Sequence, residues 1–158
     1  MTKIFAHRGA SAYAPENTME AFELAAKQGA DGIELDVHVT KDGEVVVTHD
    51  EKIDRVSNGS GFIKDMTLRE LKRLSFHNNM ESYVGAGIPT LREVLEYVST
   101  TNMDVNIELK TGIYWYPQIE EKTAFIVQET GMHDRVIYSS FNHHSIAKIK
   151  EIDSTAET

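Results

Sequence analysis

The chain has 158 residues, an ordinary length for one domain with a buried core. Hydrophobic residues make up 41% and charged residues 26%, which excludes the disordered and coiled-coil classes. The net charge of −9 argues against nucleic-acid binding and against a polybasic membrane patch. No uninterrupted apolar run exceeds four residues, so no membrane span is expected. The absence of cysteine and of an apolar signal segment predicts a cytoplasmic protein without disulfides or zinc–thiolate sites.

The first part of the chain alternates strand-like and helix-like segments. The predicted elements are a strand at 3–6, a helix at 18–28, a strand at 32–38 and, after a turn at 41–43, a strand at 45–49. Asn17 is the expected N-cap of the helix, with Glu20 three residues later, and Gly29 suits its C-terminal end.

Residues 51–88 differ in character from the segments around them. They are polar, and we interpret them as an insertion or elaborated loop within a single domain spanning 1–158. Thr67 and Glu70 have the spacing of a capping box, which predicts one short helix. The apolar face of that helix is expected to contain Leu68, Leu71 and Leu74.

The remaining segments continue the alternation of helix and strand. The predicted elements are a helix opening at 89–91, a strand at 104–110, a helix from 119 that ends at Gly131, a strand at 135–139 and a helix at 143–152. This order predicts an α/β domain with a mainly parallel sheet and five strands.

Polar residues recur where these strands end. They are His7 and Arg8 after the first strand, Glu34, Asp36 and His38 on one face of the second, His49 and Asp50 after the third, and Asn106, Glu108 and Lys110 on one face of the fourth. Ligands of parallel α/β folds bind beyond the carboxyl ends of the strands. We therefore expect Glu34, Asp36 and Glu108 to converge, with His7 and His49 nearby.

Converging carboxylates need a cation or a proton. Two unit charges about 4 Å apart repel by about 4 kcal/mol at an effective dielectric constant near 20. Oxygen ligands favour Mg²⁺ or Ca²⁺ over zinc. The histidines His7 and His49 could act as acid and base near neutral pH, and Arg8 could hold a phosphate oxygen. Together these groups suit phosphoryl chemistry.

Each of these features also has a structural interpretation. A histidine at a strand end can simply be a satisfied hydrogen-bonding residue. The alternation of Glu34 and Asp36 with apolar residues can mark a solvated strand face. Lys110 can pair with Glu108 or Asp36 without any contact to a substrate. Spacing alone leaves these alternatives open.

Five motifs occur together in one order. They are FAHRG at 5–9, APENT at 14–18, GIELDV at 32–37, THD at 48–50 and NIELK at 106–110. This set strongly resembles the glycerophosphodiester phosphodiesterase family, and the resemblance extends from residue 4 to about 150. It implies a (β/α)₈ barrel of the phospholipase C-like type. It also implies hydrolysis of small-molecule glycerophosphodiesters to glycerol 3-phosphate and an alcohol.

The resemblance implies a role for each of the residues singled out above. The family's two acid–base histidines match His7 and His49. Its metal ligands, usually for Mg²⁺ or Ca²⁺, match Glu34, Asp36 and Glu108.

The phosphate-binding and loop residues can be matched in the same way. The arginine beside the phosphate matches Arg8, and a common active-site lysine matches Lys110. The segment 51–88 matches a small insertion that caps one side of the barrel mouth. Glu16 and Asn17 are expected to build the first loop, and the aromatic residues of 113–117 could either line the pocket or pack the loop.

The sequence departs from the family pattern in length. It has five predicted strands where the family has eight, so residues 1–158 match the N-terminal two-thirds of the domain. An open fifth strand would expose a sheet edge capable of self-association. Two alternative functions stay open: a related phospholipase D-type lyase, or a non-catalytic fragment that binds metal or phosphate or associates with another copy.

Overall fold

The computed structural model describes residues 2–158. Its strands are β1 Phe5–His7, β2 Gly32–Val39, β3 Val45–Val47, β4 Asp104–Leu109 and β5 Val136–Ser139. Its helices are α1 Met19–Lys27, α2 Leu68–Leu71, α3 Leu91–Ser99, α4 Ile119–Glu129 and α5 His143–Ile152. Short 3₁₀ turns lie at Ile63–Asp65, Glu81–Tyr83 and His133–Arg135. The predicted α/β class with five strands is confirmed.

Four of the five strands form a parallel sheet in the order β1, β2, β4 and β5. β3 pairs antiparallel with the last residues of β2. The sequence contains the reason, because only Thr40 to Glu44 separate β2 from β3 and a parallel connection requires a long crossover. Gly43 takes a φ of +89° in this hairpin turn. The parallel strands with their crossover helices have the architecture of part of a (β/α)₈ barrel.

The helices pack against one face of the sheet. One apolar cluster joins Ile33, Leu35 and Val37 of β2 and Val105, Ile107 and Leu109 of β4 to Phe22, Leu95, Val127 and Ile149 of the helices. All eight residues of β2 are buried, so the polar side chains on its other face do not form a solvated surface. That alternative interpretation of the alternating pattern is wrong for β2.

The N-cap predicted for α1 was one residue too early. Thr18 is the N-cap, and its Oγ1 accepts a hydrogen bond from the Ala21 N–H. Asn17 has a φ of +57°, and its side-chain amide does not cap the helix. The amide donates instead to Asp36, as described below.

The segment 51–88 packs around an apolar cluster of its own. The cluster contains Val46, Ile53, Val56, Ile63, Leu71, Phe76 and Ile88. The capping box of Thr67 and Glu70 is confirmed at the start of α2, and Leu68 and Leu74 pack against this cluster beside Leu71. Because Val46 belongs to β3, the segment is anchored beside the carboxyl end of β2.

The edge of β5 has a partner along part of its length. The Tyr138 N–H donates to the Glu157 carbonyl over 2.8 Å, and Ile137 forms a parallel bridge with Glu157.

Over residues 2–158, none of the helices has the length and apolar character that a membrane-spanning helix requires.

Candidate functional site

Three carboxylates meet at the carboxyl end of the parallel sheet. Glu34 and Asp36 project from β2, and Glu108 projects from β4 directly beside Asp36 in the strand register. One oxygen of each carboxylate lies within 4.8 Å of the other two. Asp36 is completely buried and Glu34 is 9% exposed. The sheet register therefore brings together the three residues that the sequence predicted to converge.

Glu34 shows the electrostatic consequence of this clustering. Burial, followed by the charge of Asp36, raises the pKa of Glu34 to about 7. A hydrogen bond from the Arg8 backbone N–H to Glu34 Oε2, 3.1 Å long, partly opposes this rise. Without a bound cation, the Glu34 carboxyl is therefore protonated at mildly acidic pH.

Lys110 and Asn17 contact the same carboxylates. Lys110 Nζ lies 2.7 Å from Glu108 Oε1 and 3.0 Å from Asp36 Oδ1. Burial alone would lower the pKa of Lys110, but the hydrogen bond to Glu108 and the charge of Asp36 hold it above its usual value. The Asn17 amide donates to Asp36 Oδ2 over 2.9 Å. Lys110 thus forms the carboxylate pairs that were the alternative to substrate contact.

The donor set fits a hard divalent cation. Among residues 2–158, Asp36 Oδ1 is one of the buried side-chain atoms without an assigned hydrogen bond, and its near neighbour is the Lys110 ammonium at 3.0 Å. A buried carboxylate oxygen in this setting calls for a positively charged partner. Three carboxylate oxygens in close contact are the ligands that Mg²⁺ and Ca²⁺ prefer. The site residues therefore fit the cation that the sequence predicted.

The two candidate histidines lie in different environments. His7 ends β1, is 68% exposed and places Nε2 3.7 Å from Glu34 Oε2. His49 follows β3 and brings Nδ1 to within 2.6 Å of Asp50 Oδ1. Because an ionised carboxylate can only accept, this contact places a proton on His49 Nδ1 and leaves Nε2 as the other ring nitrogen that can exchange a proton.

Arg8 has a strained backbone, and its side chain contacts two carboxylates. Its φ is +59°, a conformation that only a well-defined loop imposes on a residue with a Cβ. Nη1 donates to Glu16 Oε1 over 3.1 Å, and Nε lies 3.5 Å from Asp36 Oδ2. The guanidinium is therefore held beside the carboxylate cluster, between Glu16 and Asp36.

His38 shares a strand face with Asp36 but does not join the cluster. Its Nδ1 lies 2.9 Å from the Tyr116 hydroxyl, and its Nε2 lies 3.0 Å from the His49 carbonyl oxygen. Burial lowers the pKa of His38. Tyr116 is buried, which favours loop packing for this part of 113–117, whereas Trp115 is 62% exposed. His38 and Tyr116 support the backbone that carries His49.

Three residues that contact the candidate site residues were missing from the sequence-based site. Glu16 and Asn17 were assigned to loop building, yet they bind Arg8 and Asp36 directly. Arg55, in the segment 51–88, binds both Glu16 and Asp50. The APENT motif was a usable signal for the first two residues, but the sequence offered none for Arg55.

Two further histidines lie outside this cluster, and one of two cavities adjoins it. His143 and His144 begin α5, as predicted, and both are exposed. A cavity of about 280 Å³ adjoins Glu108 and is lined by Ser139, Ser140 and Phe141. A larger cavity of about 680 Å³ lies between α4 and α5 and contacts none of the candidate site residues.

The raised pKa of Glu34 predicts a pH-dependent stability in the absence of divalent cations. The folded protein holds this proton up to about pH 7, while the unfolded chain releases it near 4.5. The free energy of unfolding should therefore fall as the pH rises through this window. Urea unfolding in EDTA at pH 5 and pH 7.5 measures the fall for the wild type and for Glu34→Gln, which lacks this titration. Equal pH dependence of the two proteins would contradict the raised pKa of Glu34.

Sequence comparisons place this site in a known family. The sequence model of the glycerophosphoryl diester phosphodiesterase family matches residues 7–158. A glycerophosphodiester phosphodiesterase of Caldanaerobacter subterraneus subsp. tengcongensis is 51% identical over 152 residues, which are 96% of this chain and 63% of that protein. One of Bacillus altitudinis is 52% identical, over 93% of this chain and 61% of that protein. The chain thus spans about three-fifths of the length of these curated relatives.

Solved structures have the same fold. The crystal structure of a glycerophosphodiester phosphodiesterase from Agrobacterium tumefaciens matches 98% of this chain and 64% of its own, with a TM-score of 0.89 and 39% identity. An Oleispira antarctica phosphodiesterase in complex with the product sn-glycerol-3-phosphate matches 99% of this chain and 64% of its own, with a TM-score of 0.88 and 33% identity. With the family match over residues 7–158, these likenesses establish that the chain belongs to the glycerophosphoryl diester phosphodiesterase family.

Proposed function

We propose that this protein hydrolyses glycerophosphodiesters to glycerol 3-phosphate and an alcohol with the help of a divalent cation. The observation that carries the proposal is the cluster of Glu34, Asp36 and Glu108 at the carboxyl end of the sheet, in a chain of this family. The relatives named as glycerophosphodiester phosphodiesterases support the reaction. The product found in the Oleispira antarctica structure supports a small phosphate ester as the ligand.

Glu34, Asp36 and Glu108 are the residues that we propose as ligands of Mg²⁺ or Ca²⁺. When bound, the cation supplies charge stabilisation to a phosphoryl oxygen. Lys110 holds two of the three carboxylates in place, and Asn17, in the loop between β1 and α1, donates a hydrogen bond to Asp36. The ligand oxygens are thus oriented before a cation arrives, which lowers the cost of organising the site.

His7 and His49 are proposed as the acid and base. Asp50 holds Nδ1 of His49, so its Nε2 can accept or deliver a proton. His7 approaches the carboxylate cluster from β1, next to Glu34. Two histidines allow one to deprotonate a nucleophile while the other protonates the leaving alcohol.

Arg8 and Lys110 are proposed to bind the substrate phosphate. Both side chains contact Asp36, so both positive charges lie beside the carboxylates that would hold the cation. Arg8 keeps its charge at every relevant pH, which suits recognition of a phosphodiester anion. A glycerol hydroxyl then acts as internal nucleophile, forming a cyclic phosphate with loss of the alcohol, and water opens the ring.

Product analysis tests this function. The protein is incubated with glycerophosphocholine and MgCl₂ or CaCl₂, and phosphorus NMR follows the phosphate species. We expect glycerol 3-phosphate to accumulate with an equal amount of choline. A cyclic phosphate that persists would support the lyase alternative, and binding without turnover would support the non-catalytic one. Either result would overturn the proposed hydrolysis.

Self-association through the β5 edge and a cytoplasmic location stay predictions. The Glu157 bridge covers part of the β5 edge, which reduces the number of backbone groups that a second copy could pair with.

A further inference from the structure

Arg55 has an unusual set of partners for a residue with a partly exposed side chain. Its Nε donates to Asp50 Oδ2 over 2.7 Å, and its Nη2 lies 3.2 Å from Asp50 Oδ1. Nη1 and Nη2 also donate to the two oxygens of Glu16, each over 2.8 Å. One guanidinium therefore binds two carboxylates, each through two contacts.

Each of these carboxylates holds a residue of the candidate site. Asp50 binds Nδ1 of His49 over 2.6 Å. Glu16 binds Nη1 of Arg8 over 3.1 Å. Arg55 thus stands between the loop after β3, which carries His49, and the loop after β1, which carries Arg8.

The chemistry of the contacts requires an arginine. A planar guanidinium can satisfy two carboxylates along two of its edges, whereas a lysine ammonium is a point charge that cannot hold both in fixed orientations. Hydrogen bonds from Arg55 lower the pKa of Asp50 to about 2, and they also lower the pKa of Glu16. An ionised Asp50 can only accept a hydrogen bond from His49, and the two contacts from Arg55 fix the orientation of the Asp50 carboxylate in which it does so.

We propose that Arg55 is a positioning residue that locks the His49 loop to the Arg8 loop and fixes His49 in the tautomer with its proton on Nδ1. This inference rests on the proposed function in one respect, the roles of His49 and Arg8 in turnover. It adds a task for the segment 51–88: the segment supplies one side chain that holds two other loops at the site.

The test compares Arg55→Gln and Arg55→Lys with Arg73→Gln, which changes an exposed arginine of the same segment. Nitrogen NMR of the histidine rings in the metal-free protein reports the His49 tautomer, with His49→Asn used to assign the signal. We expect wild type and Arg73→Gln to show the Nδ1–H form. Both Arg55 variants should show a mixture with the Nε2–H form. Thermal unfolding of each variant verifies that it remains folded.

Kinetics provide the second readout. In metal sites, loss of a residue that orients a metal ligand lowers activity about 10- to 100-fold. Arg55 orients His49 and Arg8 in a comparable way, so we expect a fall in kcat of that size for Arg55→Gln. Combining Arg55→Gln with Glu16→Gln should cost little more than Arg55→Gln alone, because both changes break one network. Strictly multiplicative losses would contradict the coupling between the loops.

The two proposals fail in different ways. An unchanged His49 tautomer in folded Arg55→Gln, or a wild-type-like spectrum and kcat in Arg55→Lys, would overturn the role of Arg55. Absence of turnover in the wild type would instead overturn the proposed function, and the tautomer measurement would still decide the positioning role.

Discussion

Replacing His49 or His7 with alanine is expected to lower kcat for glycerophosphocholine by at least ~10²-fold, the lower range for acid–base catalysis. The structure gives the physical reason for His49: Asp50 holds its Nδ1, so Nε2 is the nitrogen available for proton transfer. His7 is largely exposed and lies against Glu34, so its removal takes away a proton carrier without opening the core. Steady-state kinetics with saturating Mg²⁺ or Ca²⁺ measures both losses.

His143→Ala is the matched control, because His143 is an exposed histidine at the start of α5. Its kcat should equal that of the wild type. The double variant His7→Ala/His49→Ala should be only slightly less active than either single variant, because the two residues act in one reaction. Near-normal rates in both single variants would remove His7 and His49 from the mechanism.

Local sequence signals predicted much of the fold. The predicted capping box of Thr67 and Glu70 depends on contacts three residues apart, so the start of α2 follows from the sequence around it. The helix predicted to open at 89–91 begins at Leu91, where the structure shows a second capping box at Thr90. The convergence of Asp36 and Glu108 was predictable for a related reason. Both residues point to the same face of parallel strands, and the strand register sets them side by side.

His38 shows that the alternation of side chains along a strand is not enough to predict which residues join the carboxylate cluster. It lies on the same face as Glu34 and Asp36, but β2 pairs with β4 only as far as Val37. His38 has no β4 residue opposite it and instead pairs with Val46 of β3. Its ring contacts Tyr116 and the His49 backbone rather than the carboxylates.

Arg55 and Asn17 could not be placed from the sequence for different reasons. Arg55 reaches Glu16 across 39 positions of the chain, a contact that depends on how 51–88 folds against the first loop. Asn17 carries the residue type of an N-cap, but a φ of +57° moves the cap to Thr18. Its amide is thereby left to bind Asp36, a role that local sequence patterns do not indicate.

Charge balance connects the acidic composition to the proposed cation. The site network contains the carboxylates of Glu16, Glu34, Asp36, Asp50 and Glu108 and the cations of Arg8, Arg55 and Lys110. With all five carboxylates ionised, two negative charges lack a counter-charge, and one divalent cation supplies the balance. The overall charge of −9 is therefore compatible with binding of an anionic phosphodiester once the cation is present.

Removal of divalent cations is expected to abolish turnover. EDTA should bring the hydrolysis of glycerophosphocholine to background, and excess MgCl₂ or CaCl₂ should restore it, because the excess negative charge of the carboxylates otherwise repels the substrate phosphate. Calorimetric titration of the metal-free protein with each cation measures binding without any need for turnover. The titration also tells which of the two ions the site prefers.

Asp36→Asn tests whether binding occurs at the proposed ligands. Asp36 is completely buried, and its Oδ1 is the oxygen without a hydrogen-bond partner among the described residues, so its replacement removes a ligand rather than a surface charge. We expect the cation affinity to fall by at least ~10-fold, the lower limit even for the loss of an outer partner. Asp134→Asn, which changes an exposed aspartate, should bind the cation as the wild type does. Equal affinity in Asp36→Asn, or EDTA-resistant turnover in the wild type, would place the cation elsewhere or remove it from the reaction.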